Sequence, residues 1–199
     1  MKKEGDRIPQ VKWRERSLGD WIDTITDTYF KGKRVVLFSL PGAFTPICSS
    51  KQLPGYETKA DAIKANRIDE IYCMSVNDSF VMNAWAQNQK LANVKVISDG
   101  NGEFTQKMGM LVNKNHLGFG ERSWRYAAVI CDGMIEKIFV EPGKNDIGDD
   151  MDPYGENSPS SPENVLKYLS SGGPAEVYDE NNRDTNNDPF KGTSIEGKD

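Results

Sequence analysis

Apolar residues along the chain group into short segments with two different periods. Residues 34–40, 70–76 and 94–98 are nearly continuous apolar runs that contain β-branched side chains, the pattern of strands buried on both faces. Residues 52–65 and 80–91 instead place their apolar side chains three or four positions apart, as amphipathic helices do. The first part of the chain therefore predicts strands that alternate with helices.

The pattern changes in the second half of the chain. A short helix is expected over residues 103–110, and two apolar runs, 124–130 and 135–140, flank Asp132 and Gly133. Asp-Gly is a typical two-residue hairpin turn. Strands that first alternate with helices and then close with a hairpin predict an α/β domain of three layers around a central mixed sheet. This order matches a thioredoxin-like architecture.

The C-terminal part of the chain is more polar. Residues 143–161 are rich in Asp, Gly, Pro and Ser, and residues 162–171 can form one last helix. Beyond residue 172 the chain is almost entirely polar, and such a segment buries too little apolar surface to fold alone. We therefore expect one domain over residues 1–171 and a flexible acidic tail over residues 172–199.

Composition and charge narrow the classes of function. The 199 residues include 25 Lys and Arg against 30 Asp and Glu, a formal net charge of −5, whereas a nucleic-acid binder needs a basic surface. No run approaches the roughly 20 apolar residues of a membrane-spanning helix. Residues 1–16 carry charges throughout, unlike a secretory signal. A cytoplasmic protein without a nucleic-acid or membrane partner is the expectation.

The chain has three cysteines, Cys48, Cys73 and Cys131. Their odd number and wide spacing predict neither a disulfide framework nor a CxxC redox pair. Cys73 lies within an apolar strand and Cys131 beside the hairpin turn, so both are interpreted as structural. His116 is the single histidine and stands in a polar segment, where it is expected to be solvated, so no zinc site is predicted. Cys48 is the remaining candidate for chemistry.

The segment around Cys48 leaves a buried strand and enters a helix. Pro41 ends the strand, Thr45 is a favourable N-cap, and Pro46 fits the first helical position. Cys48 then falls in the first turn of the helix, where free backbone N–H groups and the helix dipole stabilise an anion. Because the thiolate is the nucleophilic form of cysteine, this position favours a reactive Cys48 without a neighbouring histidine.

The same segment resembles the active-site signature of peroxiredoxins. The pattern Pro-x-x-x-Thr-x-x-Cys is met by Pro41, Thr45 and Cys48, and the longer string Pro-Gly-Ala-Phe-Thr-Pro-x-Cys-Ser resembles the peroxiredoxin 5 type. Further segments agree in order and spacing, namely Leu-Pro-Gly-Tyr at 53–56, Ser-Val-Asn-Asp at 75–78 and Ser-Trp-Arg-Tyr-Ala at 123–127. The resemblance covers residues 31–142 and implies a thioredoxin-like fold.

The resemblance implies roles for four residues. Cys48 matches the peroxidatic cysteine, whose thiolate attacks a peroxide and becomes a sulfenic acid. Thr45 matches the residue whose hydroxyl hydrogen-bonds the reacting atoms, and Pro41 matches the one that shields the thiolate from water. Arg125 matches the arginine that holds the thiolate and the peroxide, and its spacing to the hairpin turn favours it over Arg122. The implied peroxidase uses no metal, flavin or haem as cofactor.

The chain departs from the two-cysteine members of that family. Those of the peroxiredoxin 5 type carry a resolving cysteine after the last strand, and residues 141–161 contain none. A one-cysteine cycle is therefore predicted, in which an external thiol reduces the sulfenic acid, with glutathione and glutaredoxin favoured and thioredoxin second. The implied substrates are hydrogen peroxide and small organic hydroperoxides. The resemblance also implies a homodimer, with Phe44 and Phe80 as candidate contacts.

Two other functions are compatible with the same residues. A non-enzymatic redox sensor or holdase would signal through oxidation of Cys48 and the acidic tail, and it would recycle slowly. A dithiol–disulfide exchanger on the same fold is disfavoured by the missing CxxC pair. Multiple turnovers with a thiol donor distinguish the peroxidase from the sensor.

Overall fold

The computed structural model describes residues 1–144 and 154–172. The strands are β1 (Lys12–Ser17), β2 (Asp20–Ile25), β3 (Arg34–Ser39), β4 (Glu70–Ser75), β5 (Val94–Ser98), β6 (Leu111–Asn113), β7 (Glu121–Ser123), β8 (Tyr126–Cys131) and β9 (Met134–Val140). The helices are α1 (Thr26–Phe30), α2 (Leu53–Thr58), α3 (Ala60–Lys64), α4 (Ser79–Asn88), α5 (Glu103–Met108) and α6 (Pro162–Ser170). None of these described helices is long and apolar enough to cross a membrane.

Two sequence-based expectations concern parts of the chain that are not described. The acidic tail predicted from residue 172 onward lies outside the described residues except for its first position. The same holds for residues 145–153 of the polar segment that precedes the last helix. The division into a domain over residues 1–171 and a tail therefore stays a prediction.

The central sheet has five strands in the order β5-β4-β3-β8-β9. β3 pairs in parallel with β4, as does β4 with β5, whereas β8 runs antiparallel to both β3 and β9. The predicted mixed sheet is therefore confirmed. Asp132 and Gly133 connect β8 to β9 with φ angles of 46° and 76°, the left-handed conformation that both central residues of a type I′ turn require. The predicted hairpin is also confirmed.

Both faces of this sheet are covered, as the continuous apolar runs predict. Every residue of β3 is buried. Because side chains alternate along a strand, Val36 and Phe38 enter an apolar cluster with α2, α3, α4 and α6. Val35 and Leu37 point the other way, into a cluster with α1 and α5. The sheet is therefore the middle layer of a three-layer α/β domain.

The sequence pattern does not predict the hairpin of β1 and β2. Most of its side chains are exposed, so it lacks a regular apolar alternation. Trp13 on its inner face packs into the core, but Glu15 on the same face is a buried carboxylate. Glu15 accepts hydrogen bonds from the hydroxyls of Thr24, at 2.6 Å, and Tyr29. A charged residue at a buried position hides the strand from pattern analysis.

A buried ion pair joins β3 to β9. Arg34 donates to Glu136 twice, from Nη2 to Oε1 at 2.6 Å and from Nε to Oε2 at 2.8 Å. Nη1 of Arg34 donates to the carbonyl of Asn66 at 2.9 Å, and the Tyr168 hydroxyl donates to Glu136 at 3.1 Å. Burial alone would lower the pKa of Arg34, but the hydrogen bonds and charge of Glu136 raise it above its ordinary value. Arg34 therefore stays charged, and both side chains of the pair are hydrogen-bonded.

Replacing Glu136 with alanine is expected to lower the free energy of unfolding by about 3–5 kcal/mol, because it leaves the buried charge of Arg34 without its partner. Urea denaturation followed by circular dichroism measures the change. Glu103→Ala is the matched control, since Glu103 pairs with Lys107 in a largely exposed i,i+4 ion pair that contributes about 0.3–0.5 kcal/mol. Equal losses in the two variants would contradict the importance of burial.

Candidate active site

Cys48 lies at the start of the helix that follows β3. Helical backbone begins at Pro46 and continues to residue 58, with a π-helical turn at Cys48–Gln52. Cys48 is therefore in the first turn, as predicted, where free N–H groups and the helix dipole favour negative charge on its sulfur. The residue is only 1% exposed, so only a small molecule reaches the sulfur without a rearrangement.

The loop between β3 and this helix is held by the end of the neighbouring strand β4. Oδ1 of Asn77 accepts hydrogen bonds from the backbone N–H of Ala43 at 3.0 Å and from the hydroxyl of Ser75 at 2.7 Å. Phe44 has a φ of 63°, which is uncommon for a residue with a side chain. Pro41 is buried where the chain leaves β3. The loop is thus fixed in one irregular conformation.

Thr45 directly precedes the first helical residue, but its hydroxyl differs from that of an ordinary N-cap. Oγ1 donates to the carbonyl of Gly42 at 2.7 Å, whereas an N-cap hydroxyl accepts from a helix N–H. Because the proton of Thr45 is committed to Gly42, its oxygen presents lone pairs to other donors. The hydroxyl can therefore accept a hydrogen bond from an O–H group of a bound molecule.

Arg125 is the cation that lies against Cys48. Its Nη1 is 3.5 Å from Sγ of Cys48, and the same Nη1 donates to Oε1 of Gln52. The arginine is only 2% exposed. β8 begins at Tyr126, so Arg125 lies in the short link between β7 and β8 and not inside the strand predicted over residues 124–130. From this link its side chain extends to Cys48.

Arg122, which lies close to Arg125 in sequence but is disfavoured by the resemblance, binds backbone groups. Its Nη1 donates to the carbonyl of Val76 at 2.7 Å and its Nε donates to the carbonyl of Phe119 at 3.0 Å. Burial lowers the pKa of Arg122 below its ordinary value. Of the two arginines, Arg125 therefore contacts the thiol of Cys48, whereas Arg122 holds the chain around the site.

Two residues of the site are not predicted from the sequence. Gln52 is fully buried and holds Arg125 through Oε1, while its Nε2 has no hydrogen-bond partner within the described residues. Its position four residues after Cys48 could have indicated that the two side chains lie together, because residues with that spacing share a helix face. Tyr154 lies beneath the guanidinium, with its ring centroid 5.3 Å from Cζ of Arg125. No local pattern indicates Tyr154, since it is far from Arg125 in sequence.

The other two cysteines have different surroundings. Cys73 is fully buried in β4, in the same apolar cluster as Cys48. Burial, with a smaller contribution from the charge of Cys48, raises the pKa of the Cys73 thiol well above its ordinary value. Cys73 therefore stays protonated and weakly nucleophilic. Cys131 is half-buried at the end of β8, and His116 is exposed in a 3₁₀ turn at Asn115–Leu117.

Comparisons with known proteins agree with this geometry. The family model described as Redoxin matches residues 3–153. Over 153 residues the chain is 61% identical to a peroxiredoxin of Rhizobium etli, an alignment that covers 76% of this chain and 82% of that protein. The chain belongs to the peroxiredoxin family. This peroxiredoxin is also 49% identical over 167 residues to the hybrid peroxiredoxin hyPrx5 of Haemophilus influenzae, covering 84% of this chain and 66% of that protein, and it is of the peroxiredoxin 5 type.

A solved structure shows the same fold. The Plasmodium falciparum antioxidant protein, described as a 1-Cys peroxiredoxin, superposes on this peroxiredoxin with a TM-score of 0.77 at 37% identity, covering 84% of this chain and 99% of that one. The predicted thioredoxin-like fold is therefore confirmed. Membership of the family makes the chain an antioxidant oxidoreductase, a thiol-dependent peroxidase that reduces peroxides.

Proposed function

We propose that this peroxiredoxin reduces hydrogen peroxide and small alkyl hydroperoxides at Cys48 in a one-cysteine cycle. The observation that carries the proposal is the contact of Arg125 Nη1 with Cys48 Sγ, 3.5 Å long, at the first turn of a helix. Both features stabilise a thiolate. Small peroxides are favoured because Cys48 is 1% exposed, which leaves little room for a bulky substrate.

In the oxidation step the thiolate sulfur of Cys48 attacks one peroxide oxygen and the O–O bond breaks. The sulfur keeps that oxygen as a sulfenic acid, and the second oxygen leaves with the electron pair and takes up a proton as water or alcohol. Negative charge moves from the sulfur to the departing oxygen, so the fixed donor Arg125 lowers the barrier. Thr45 accepts a hydrogen bond from the peroxide, and the buried Pro41 keeps water from the thiolate.

In the reduction step an external thiol attacks the sulfenic acid, releases water and forms a mixed disulfide with Cys48. A second thiol then breaks this bond, so the two thiols together supply the two electrons. Support comes from the absence of cysteine in residues 141–161 and from the raised pKa of Cys73. The similar Plasmodium protein is itself described as a 1-Cys peroxiredoxin. We favour glutathione with glutaredoxin as donor, thioredoxin second, and hence a cytoplasmic location, where these thiols are kept reduced.

The proposal includes a homodimer. Phe44 and Phe80 are 53% and 58% exposed, and they belong to segments joined by the hydrogen bond between Asn77 and Ala43. Trp21 is also exposed and packs edge-to-face on Phe80, with 5.6 Å between ring centroids. Exposed aromatic side chains that cluster in this way favour burial against a second copy. A monomeric mass in sedimentation velocity would contradict the dimer.

Peroxide consumption by the purified protein tests the cycle. Glutathione with glutaredoxin is compared with thioredoxin and its reductase, and we expect multiple turnovers with the first system and slower turnover with the second. The variant Cys73→Ala/Cys131→Ser is expected to turn over at the wild-type rate, because neither thiol resolves the sulfenic acid. Mass spectrometry of the oxidised protein checks the same point, and an intramolecular disulfide at Cys48 would contradict the one-cysteine cycle.

A further inference from the structure

Arg125 has an aromatic neighbour to which the proposed reaction assigns no role. Cζ of Arg125 lies over the ring of Tyr154, 5.3 Å from its centroid. Both residues are buried, with 2% of Arg125 and 4% of Tyr154 exposed. A cation is attracted to the face of an aromatic ring, and the attraction strengthens when both groups are withdrawn from water. The two side chains therefore form a desolvated cation–π pair beside Cys48.

Tyr154 is held in place by groups other than Arg125. Its hydroxyl donates to the carbonyl of Ser160 at 3.2 Å, and the same carbonyl accepts from the hydroxyl of Tyr56 at 2.8 Å. Lys51 donates from Nζ to the backbone carbonyl of Tyr154 at 3.2 Å. The carboxylate of Glu141 accepts from both the N–H and the hydroxyl of Ser160, at 2.9 and 2.6 Å. The ring of Tyr154 is therefore held in place independently of its contact with Arg125.

The ring and the polar contacts restrain Arg125 in different ways. Nη1 bonds to Cys48 Sγ and Gln52 Oε1 through hydrogens that lie in the plane of the guanidinium. The ring of Tyr154 contacts the guanidinium without competing for these hydrogens, so it adds a restraint on the position of the planar group as a whole.

We propose that Tyr154 is a positioning residue, which holds the guanidinium of Arg125 where Nη1 reaches the sulfur of Cys48. The inference rests on the proposed function of Arg125 as a donor to the reacting atoms. Donors lower a barrier only when they are already aligned with the developing charge, and a small displacement loses much of the effect. Tyr154 itself stays an uncharged phenol, because burial raises its pKa, and it takes no part in proton transfer.

Three variants of Tyr154 separate the ring from the hydroxyl. Tyr154→Leu removes the ring face, and the second-order rate constant for oxidation of Cys48 by hydrogen peroxide is expected to fall about tenfold. Tyr154→Phe keeps the ring and Tyr154→Trp provides a stronger one, so both are expected to stay within about twofold of the wild type. Rapid quenching followed by mass spectrometry of the sulfenic acid gives the rate constants.

A fluorinated series tests the electrostatic cause directly. Phenylalanine with one, two or three ring fluorines at position 154 has nearly the same size but a progressively weaker ring quadrupole. The logarithm of the rate constant is expected to fall stepwise with the number of fluorines, a dependence that mere space filling does not produce. Tyr168→Leu is the control for lost stability, since Tyr168 packs on Phe139 and bonds Glu136 on another part of the fold. We expect it to oxidise at the wild-type rate.

The outcomes separate this inference from the proposed function. A folded Tyr154→Leu protein that oxidises as fast as the wild type, or a flat fluorine series, overturns the positioning role and leaves the peroxidase cycle intact. A wild-type protein that does not consume peroxide, or one whose rate does not depend on Arg125, overturns both. A graded loss in the series, with Tyr168→Leu unchanged, supports the proposal.

Discussion

Cys48→Ser is expected to reduce peroxide consumption to the background of the reductant mixture, a loss of at least about a thousandfold. A serine hydroxyl does not ionise in the range where a cysteine thiol does, so neither the helix terminus nor Arg125 can turn it into a comparable nucleophile. The assay is peroxide consumption with glutathione and glutaredoxin present. Because serine is close in size to cysteine and position 48 borders a loop, the variant is expected to fold normally.

Cys131→Ser is the matched control for this experiment. Cys131 is half-buried at the end of β8, and its replacement removes one thiol without changing the helix of Cys48. We expect wild-type turnover. Circular dichroism establishes that both proteins are folded before the rates are compared. Substantial turnover by folded Cys48→Ser would mean that another thiol reduces the peroxide, and the proposed cycle would be abandoned.

The second large effect is expected from Arg125→Lys, which should lower the rate constant for oxidation of Cys48 by about a hundredfold or more. Lysine keeps the positive charge, but it lacks the planar group that contacts Cys48, Gln52 and the ring of Tyr154 together. The expected loss therefore reports the geometry of the donor and not its charge alone. Rapid quenching and detection of the sulfenic acid measure it.

Arg122→Lys is the comparison, since Arg122 lies close enough in sequence to be confused with Arg125. Arg122 donates to the carbonyls of Val76 and Phe119, so its replacement is expected to loosen the surrounding chain and to change the rate by less than about tenfold. If Arg122→Lys had the larger effect, the assignment of the two arginines would have to be reversed.

Much of this fold can be predicted from short sequence patterns, because each of those patterns depends only on residues that are neighbours in the chain. The apolar runs that became β3, β4 and β5 need partners on both faces, and a sheet covered by helices is the arrangement that provides them. The turn at Asp132 and Gly133 is equally local, since it depends on which residues accept a left-handed backbone. The motif around Cys48 can also be predicted locally, because it is one continuous segment at a strand–helix junction.

The surroundings of Cys48 are decided by contacts between distant segments. Arg125 approaches the sulfur from the link between β7 and β8, a segment far from Cys48 along the chain. Tyr154 reaches Arg125 because Glu141 and Tyr56 hold the backbone around Ser160. None of these pairings leaves a period or a spacing in the sequence.

The sequence by itself determined the candidate nucleophile, Cys48, its place in the first turn of a helix, the family resemblance and the order of strands and helices. These depend on residues that are neighbours in the chain, where spacing translates directly into geometry. Only the tertiary structure showed that the Thr45 hydroxyl donates to Gly42 and that Gln52 and Tyr154 lie against Arg125. The contacts of Gln52 and Tyr154 with Arg125 join segments far apart in the chain, and the Thr45–Gly42 bond belongs to an irregular loop that no periodic pattern describes.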